Sequence, residues 1–212
     1  MSEIIVHDMS KIIKNQMILQ NINLRMESGK IYGFIGRNGS GKSVLLKCIA
    51  GFMKPTSGWT SLDGQIVGKD IKFIKNMGFL INSPGFLPEL SGIKNLIYLA
   101  SFKHITNREQ ICNIMRMVEL DPENKKGVGK YSTGMIQRLG IAQAIMENPD
   151  ILILDEPMNG LDENMVVKMR NLFLDLKREG KMILITSHIK EDIDILCDEV
   201  YKIQSGKIIE KF

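Results

Sequence analysis

Eight consecutive residues, Gly36-Arg37-Asn38-Gly39-Ser40-Gly41-Lys42-Ser43, satisfy the spacing G-x-x-x-x-G-K-[ST], a pattern suited to holding polyphosphate. The apolar run 31–36 precedes them and a helical pattern over 42–50 follows, the two flanks such a loop requires. Glycine lets the backbone turn consecutive N–H groups towards an anion, and the positive end of the following helix dipole falls at the same place. Lys42 would reach the β and γ phosphates of a nucleotide, and the Ser43 hydroxyl would ligate Mg²⁺. The pattern implies nucleotide binding.

A second chemical signal lies at Ile151-Leu152-Ile153-Leu154-Asp155-Glu156, four apolar residues ending in two adjacent acids. In open α/β sheets, ligands sit at the carboxyl ends of the strands. Asp155 at such an end can hold Mg²⁺, directly or through water, beside Ser43. Glu156, one residue on, is placed to orient and deprotonate an attacking water. By itself such a strand end is commonly just solvated; paired with the glycine-rich loop it reads as hydrolytic.

These residues need a scaffold. The runs 4–8, 22–26, 31–36, 77–81, 151–155 and 182–186 are short, apolar and rich in β-branched residues, and predict strands. Three of them, 31–36, 151–155 and 182–186, are apolar almost throughout, as parallel strands covered on both faces must be. Helical patterns at 42–50, 162–178 and 189–196 alternate with them, which implies an α/β fold with a parallel sheet. From about 86 to 148 the pattern changes to helices at 92–103, 107–119 and 134–147, with joints at Ser83-Pro84-Gly85, Asp121-Pro122 and the basic stretch 124–130. The segments 199–204 and 206–210 flank Ser205-Gly206 as a terminal hairpin.

Composition bounds the rest. At 212 residues, 44% hydrophobic and 25% charged, the chain fits one large globular domain. A net charge of +4 is too small to argue for nucleic acid or an anionic bilayer. Cys48, Cys112 and Cys197 lie far apart in apolar stretches, which suits packing in a reducing compartment. The 14 methionines fall at core-like spacings and read as adaptable packing, and neither His7 nor His104 has a partner at zinc-ligand spacing. Glu3 and Asp8 interrupt any secretory leader, and no run approaches the roughly 18 apolar residues of a membrane span.

Upstream of the acids stands Tyr131-Ser132-Thr133-Gly134-Met135-Ile136-Gln137-Arg138, which resembles the ABC signature usually written LSGGQ. With Asn159-Gly160-Leu161-Asp162 after the acids and Thr186-Ser187-His188 after the next strand, the order is similar to that of the ATP-binding subunit of an ABC transporter. The resemblance spans essentially the whole chain. It implies a P-loop NTPase (RecA-like) α/β core with a mostly parallel sheet, an antiparallel β subdomain and an inserted helical subdomain. Residues 1–81 and 149–212 would form the nucleotide-binding core and 82–148 the helical insertion carrying the signature.

The same resemblance implies ATP and Mg²⁺ as ligands and a head-to-tail pair of subunits, each ATP gripped by the loop of one copy and the signature of the other. Ser132 and the Gly134 backbone would face the partner's γ phosphate, Asp162 would communicate between the two sites, and His188 would be the switch histidine contacting γ phosphate and hydrolytic water. Two positions depart from the family. Ile13 stands where an aromatic residue usually stacks on adenine, and Asn82 stands where a glutamine usually bridges Mg²⁺, water and the transporter interface. Thr133 and Met135 replace a glycine and a glutamine of the commonest signature. The segment 81–92 resembles that of bacterial exporters conferring self-protection against bacitracin-like or lantibiotic peptides, and Phe86, Leu87, Tyr98 and Phe102 offer an apolar surface to a membrane subunit. The expectation is a cytoplasmic ATPase held on the inner face of the cell membrane by a separate permease, with no nucleic-acid partner. The rivals are an ABC ATPase acting on nucleic acid or ribosomes, and a subunit that binds ATP only to regulate.

Overall fold

The apolar runs become the centre of the molecule. In the computed structural model, which describes residues 2–81, 85–102 and 107–212, the chain opens with β1 (Glu3–Ile13), β2 (Gln16–Glu27), β3 (Ile31–Ile35) and α1 (Lys42–Ala50). Next come β4 (Ser57–Leu62), β5 (Gln65–Ile66) and β6 (Met77–Leu80), then helices α2 (Gly92–Ala100), α3 (Arg108–Met117) and α4 (Thr133–Ile145). The chain ends with β7 (Ile151–Asp155), α5 (Glu163–Arg178), β8 (Met182–Thr186), α6 (Lys190–Leu196), β9 (Glu199–Gln204) and β10 (Lys207–Lys211).

Two sheets result. One is antiparallel, in the order β2-β1-β4-β5; the other runs β10-β9-β3-β8-β7-β6, parallel throughout except for the terminal β9–β10 hairpin. Because side chains alternate along a strand, each central strand feeds two cores. Tyr32, Phe34, Ile151, Ile153 and Leu184 pack with α1 against the antiparallel sheet. Ile31, Leu152, Leu154, Ile183 and Ile185 face the layer of α2 to α6. This double burial explains why those strands are apolar almost throughout.

The structure adds what periodicity did not reveal. No strand was expected over 57–66, where β4 and β5 form a hairpin around Asp63-Gly64, both with positive φ (50° and 80°), as a two-residue hairpin turn demands. The expected strand at 22–26 extends back to Gln16, joined to β1 through Lys14 and Asn15, also left-handed. Its first residues are solvent-facing, so their hydropathy carried no strand signal. Helix α2 ends at Ala100, short of the expected 103, and His104, Ser83 and Pro84 lie outside the described residues. Phe86, expected on the surface, packs against the helical-layer core. Burial pushes the Cys48 thiol up to about 11 and that of Cys197 up to about 12, leaving both neutral at physiological pH. Among the described residues eight methionines, including Met26, Met115 and Met169, are buried in the core.

Candidate active site

Three parallel neighbours bring the chemistry together. Phe34 of β3 and Asp155 of β7 both stand opposite Thr186 of β8. The loops leaving these three strands therefore open on one edge of the sheet, where α/β folds bind ligands.

The glycine-rich loop leaves β3. Gly39 and Gly41 have φ of 79° and 110°. A Cβ on Gly39 would meet nothing within 4 Å, whereas one on Gly41 would press on Leu19 at 2.9 Å and the Ile18 carbonyl oxygen at 3.0 Å. One face of the loop is thus open and the other is packed. Gly41 caps α1 without any side-chain hydrogen bond, so the N–H groups of the helix's first turn lack acceptors within the helix. Lys42 is buried; its Nζ donates to the Gly36 carbonyl at 2.8 Å and lies 4.0 Å from Glu156 Oε1. The Ser40 Oγ is buried without a partner. An uncapped helix start, an open glycine face and an ammonium folded onto loop carbonyls fit a polyphosphate. The cleft, about 420 Å³, is lined by Asn38 to Val44 together with Ile18, Asp155 and Glu156. The oxygens of Ser43 and Asp155, both at its wall, suit a hard cation such as Mg²⁺.

The acids are held by a residue to which the sequence assigned no role of its own. Thr186 Oγ1 donates to Asp155 Oδ1 at 2.6 Å and accepts the Glu156 N–H at 2.8 Å. Its signal was a polar residue closing an otherwise apolar strand. Glu156 has φ of 51°, a left-handed conformation unfavourable for a non-glycine residue and sustained by its surroundings. Gln137 of α4 donates to the Glu156 carbonyl at 3.0 Å, and His188 Nδ1 lies 2.8 Å from Glu156 Oε2. The chain therefore joins Lys42, Asp155, Glu156 and His188 in one constellation.

Ser132, Gly134 and Asp162 lie elsewhere in the subunit, none of them lining this cleft. Ser132 caps α4, accepting the Met135 N–H at 3.2 Å, and Asp162 caps α5, accepting the Met165 N–H at 3.0 Å. A Cβ on Gly134 would sit 2.7 Å from the Gly160 carbonyl oxygen, so the start of α4 and the 159–161 turn touch within one chain. Ile13 ends β1 opposite Gln16 and does not line the cleft, whose apolar side chains are Ile18 and Val44. Asn82 lies outside the described residues.

A family profile described as ABC transporter matches residues 19–159, taking in the loop, the 131–138 motif and both acids. The chain belongs to the ABC transporter family. This ABC ATPase is 42% identical over 203 residues to YybJ, an ABC transporter ATP-binding protein of Bacillus subtilis, covering 96% of this chain and 93% of that one. It is 40% identical to the bacitracin transport ATP-binding protein BcrA of Bacillus licheniformis, over 96% of this chain and 67% of BcrA. It is 33% identical to the lantibiotic transport ATP-binding protein SrtF of Streptococcus pyogenes, over 96% and 88% of the two chains. A solved ATP-binding subunit of an ABC transporter superposes with a TM-score of 0.88 at 25% identity, over 99% of this chain and 89% of that one. A dimeric bacterial ABC cassette superposes at 0.90 with 23% identity, over 99% and 97%, a likeness of fold. The protein is accordingly an ATP-binding, ATP-hydrolysing ABC subunit with the mixed α/β cassette fold. Among the described residues no helix is long and apolar enough to cross a membrane.

Proposed function

We propose that this ABC ATPase dimerises on ATP and, by reopening after hydrolysis, drives a separate transmembrane exporter whose cargo is a peptide antibiotic or similar amphiphile. One observation carries the reading: Glu156 lies 2.8 Å from His188 and 4.0 Å from Lys42, at the mouth of a helix start built for phosphate. Residues Gly36 to Ser43 cradle the triphosphate, with Lys42 released from the Gly36 carbonyl to the β and γ phosphates. Glu156 takes the proton of the attacking water, and His188 holds the γ phosphate and that water in place. Ser43 and Asp155, assisted by Asn82, would hold Mg²⁺, which when bound neutralises charge on the phosphates.

The second half of each site comes from another copy. Ser132 and the backbone of Gly134, at the uncharged first turn of α4, face the ATP held by the partner, and Asp162 links the paired sites. In this arrangement residues 82–148 are the helical insertion and 1–81 with 149–212 the nucleotide-binding core. Leu87, Tyr98 and Phe102 are 43%, 49% and 69% exposed on the insertion and form the surface that receives the permease, which holds the ATPase on the inner face of the membrane. Asn95, buried on α2, fastens this surface by bonding both the N–H and the carbonyl of Leu87. The likeness to the bacitracin transport protein BcrA and the lantibiotic transport protein SrtF supports the cargo class.

Glu156→Gln tests the core of the proposal. The variant should bind ATP, lose phosphate release by roughly a hundredfold or more, and elute as a dimer in ATP. Unaltered phosphate release would remove Glu156 from its role, and a monomer in saturating ATP would remove the dimer.

A further inference from the structure

His188 is exposed, yet the residues on both sides of it are tied down. The Ser187 Oγ, in a side chain only 3% exposed, donates to Asp192 Oδ2 at 2.9 Å and accepts the Ile189 N–H at 3.0 Å. One hydroxyl thus fastens the backbone before and after His188 and fixes the direction in which its ring leaves towards Glu156. Asp192 is fully buried, and a buried carboxylate needs a partner. Arg170 of α5 supplies it, with Nε at 2.9 Å and Nη2 at 2.6 Å from Asp192 Oδ1, while Nη1 reaches Glu191 Oε1 at 3.1 Å. Burial opposes the charge on Arg170, but its bonds to Glu191 and Asp192 outweigh that and raise its pKa.

Neither Arg170 nor Asp192 lines the phosphate cleft. A buried ion pair is often no more stabilising than well-packed apolar residues of the same volume, so stability alone gives weak reason for one here. We infer that Arg170, Asp192 and Ser187 are positioning residues that hold the His188 backbone at the angle its contact with Glu156 requires, tying the switch to α5, the helix capped by Asp162. This rests on the reading of His188 and Glu156 given above.

The experiment uses the purified full chain, steady-state phosphate release and nuclear magnetic resonance of isotope-labelled histidine. Ser187→Ala should lower kcat by about tenfold to a hundredfold, the scale of a small misplacement in a reacting site, with KM for ATP unchanged. Ser187→Thr, which keeps the hydroxyl, should recover most of the loss. The paired replacement Arg170→Met with Asp192→Leu should keep the thermal midpoint yet lower kcat to a similar degree. Both impaired variants should shift the His188 Nδ1 resonance that reports its contact with Glu156. His188→Ala should be impaired by itself, and adding Ser187→Ala to it should cost nothing further. If His188→Ala turns over normally, the reading of the switch fails and this inference falls with it. If His188→Ala is impaired while Ser187→Ala and the paired replacement keep wild-type kcat and an unshifted resonance, the positioning role alone is overturned.

Discussion

Thr186 shows how much one hydroxyl can organise. It is fully buried, and it satisfies both a carboxylate oxygen of Asp155 and the backbone N–H of Glu156. Thr186→Val keeps the shape but orphans two polar groups, so it should cost about 1–3 kcal/mol in stability and lower kcat as Glu156 loosens; denaturant titration and phosphate release would show both. Lys42 presents the opposite case, since its ammonium hydrogen-bonds to the backbone of its own loop, donating to the Gly36 carbonyl. Lys42→Ala should therefore fold normally while weakening ATP binding by roughly tenfold to a hundredfold, the worth of one charge-assisted contact, as titration calorimetry would read. The same variant should lose about half or more of the stabilisation that ATP confers on the wild type, which is about 2.7 kcal/mol when ATP stands at a hundred times the wild-type Kd.

At the level of elements, the placement of α4 matters most, because it carries Gln137 to the Glu156 carbonyl and Ser132 to its exposed start. Its path is set by a missing side chain on β6: a Cβ on Gly78 would lie 1.8 Å from the Ala144 carbonyl oxygen. Gly78→Ala should push α4 off the sheet, destabilise the fold by about 1–3 kcal/mol and disturb the site from a distance, visible as a lower denaturation midpoint. The terminal hairpin joins the sheet by parallel pairing of β9 with β3, and Glu199 at the start of β9 ties Lys30 to Lys211 of β10. Burial opposes its ionisation, but hydrogen bonds from Lys211, Lys30 and Tyr201 outweigh burial and hold the carboxyl down at about 2. Since that lies below the ordinary 4.5, the folded chain binds fewer protons than the unfolded chain between the two values. This stabilisation is complete above about pH 4.5 and is lost as pH falls towards 2, so Glu199→Gln should flatten the acid side of the stability profile.

For the whole molecule, the two halves of the proposed catalytic apparatus lie apart within one subunit. The cleft brings together the loop and the acids, and His188 reaches it through its 2.8 Å contact with Glu156, while Ser132 and Asp162 are caps of helices that do not line it. A single copy thus holds a phosphate site with one open side, which is what pairing on ATP would close. The exposed aromatic pair Tyr98 and Phe102, ring centroids 5.3 Å apart, lies on α2 and just beyond it, on the helical layer. Under the proposed docking of a permease on this surface, replacing Phe102 with serine should reduce co-purification of the ATPase with that permease.

The sequence by itself determined the parts that depend on local chemistry. The phosphate loop, the acids and the order of the motifs were legible because phosphate binding needs glycine conformations and fixed spacings, and strands buried on both faces must be apolar almost throughout. Tertiary structure alone decided the partnerships: Thr186 across to Asp155, Gln137 to Glu156, and Arg170 to Asp192 and on to Ser187. Apart from the short reach from Asp192 to Ser187, these contacts join residues 19 to 31 positions apart, and a polar side chain in sequence carries no mark of which distant group will satisfy it. The hairpin over 57–66 escaped for a related reason. Its strands are half exposed, so hydropathy was weak, and its identity rested on pairing with β1.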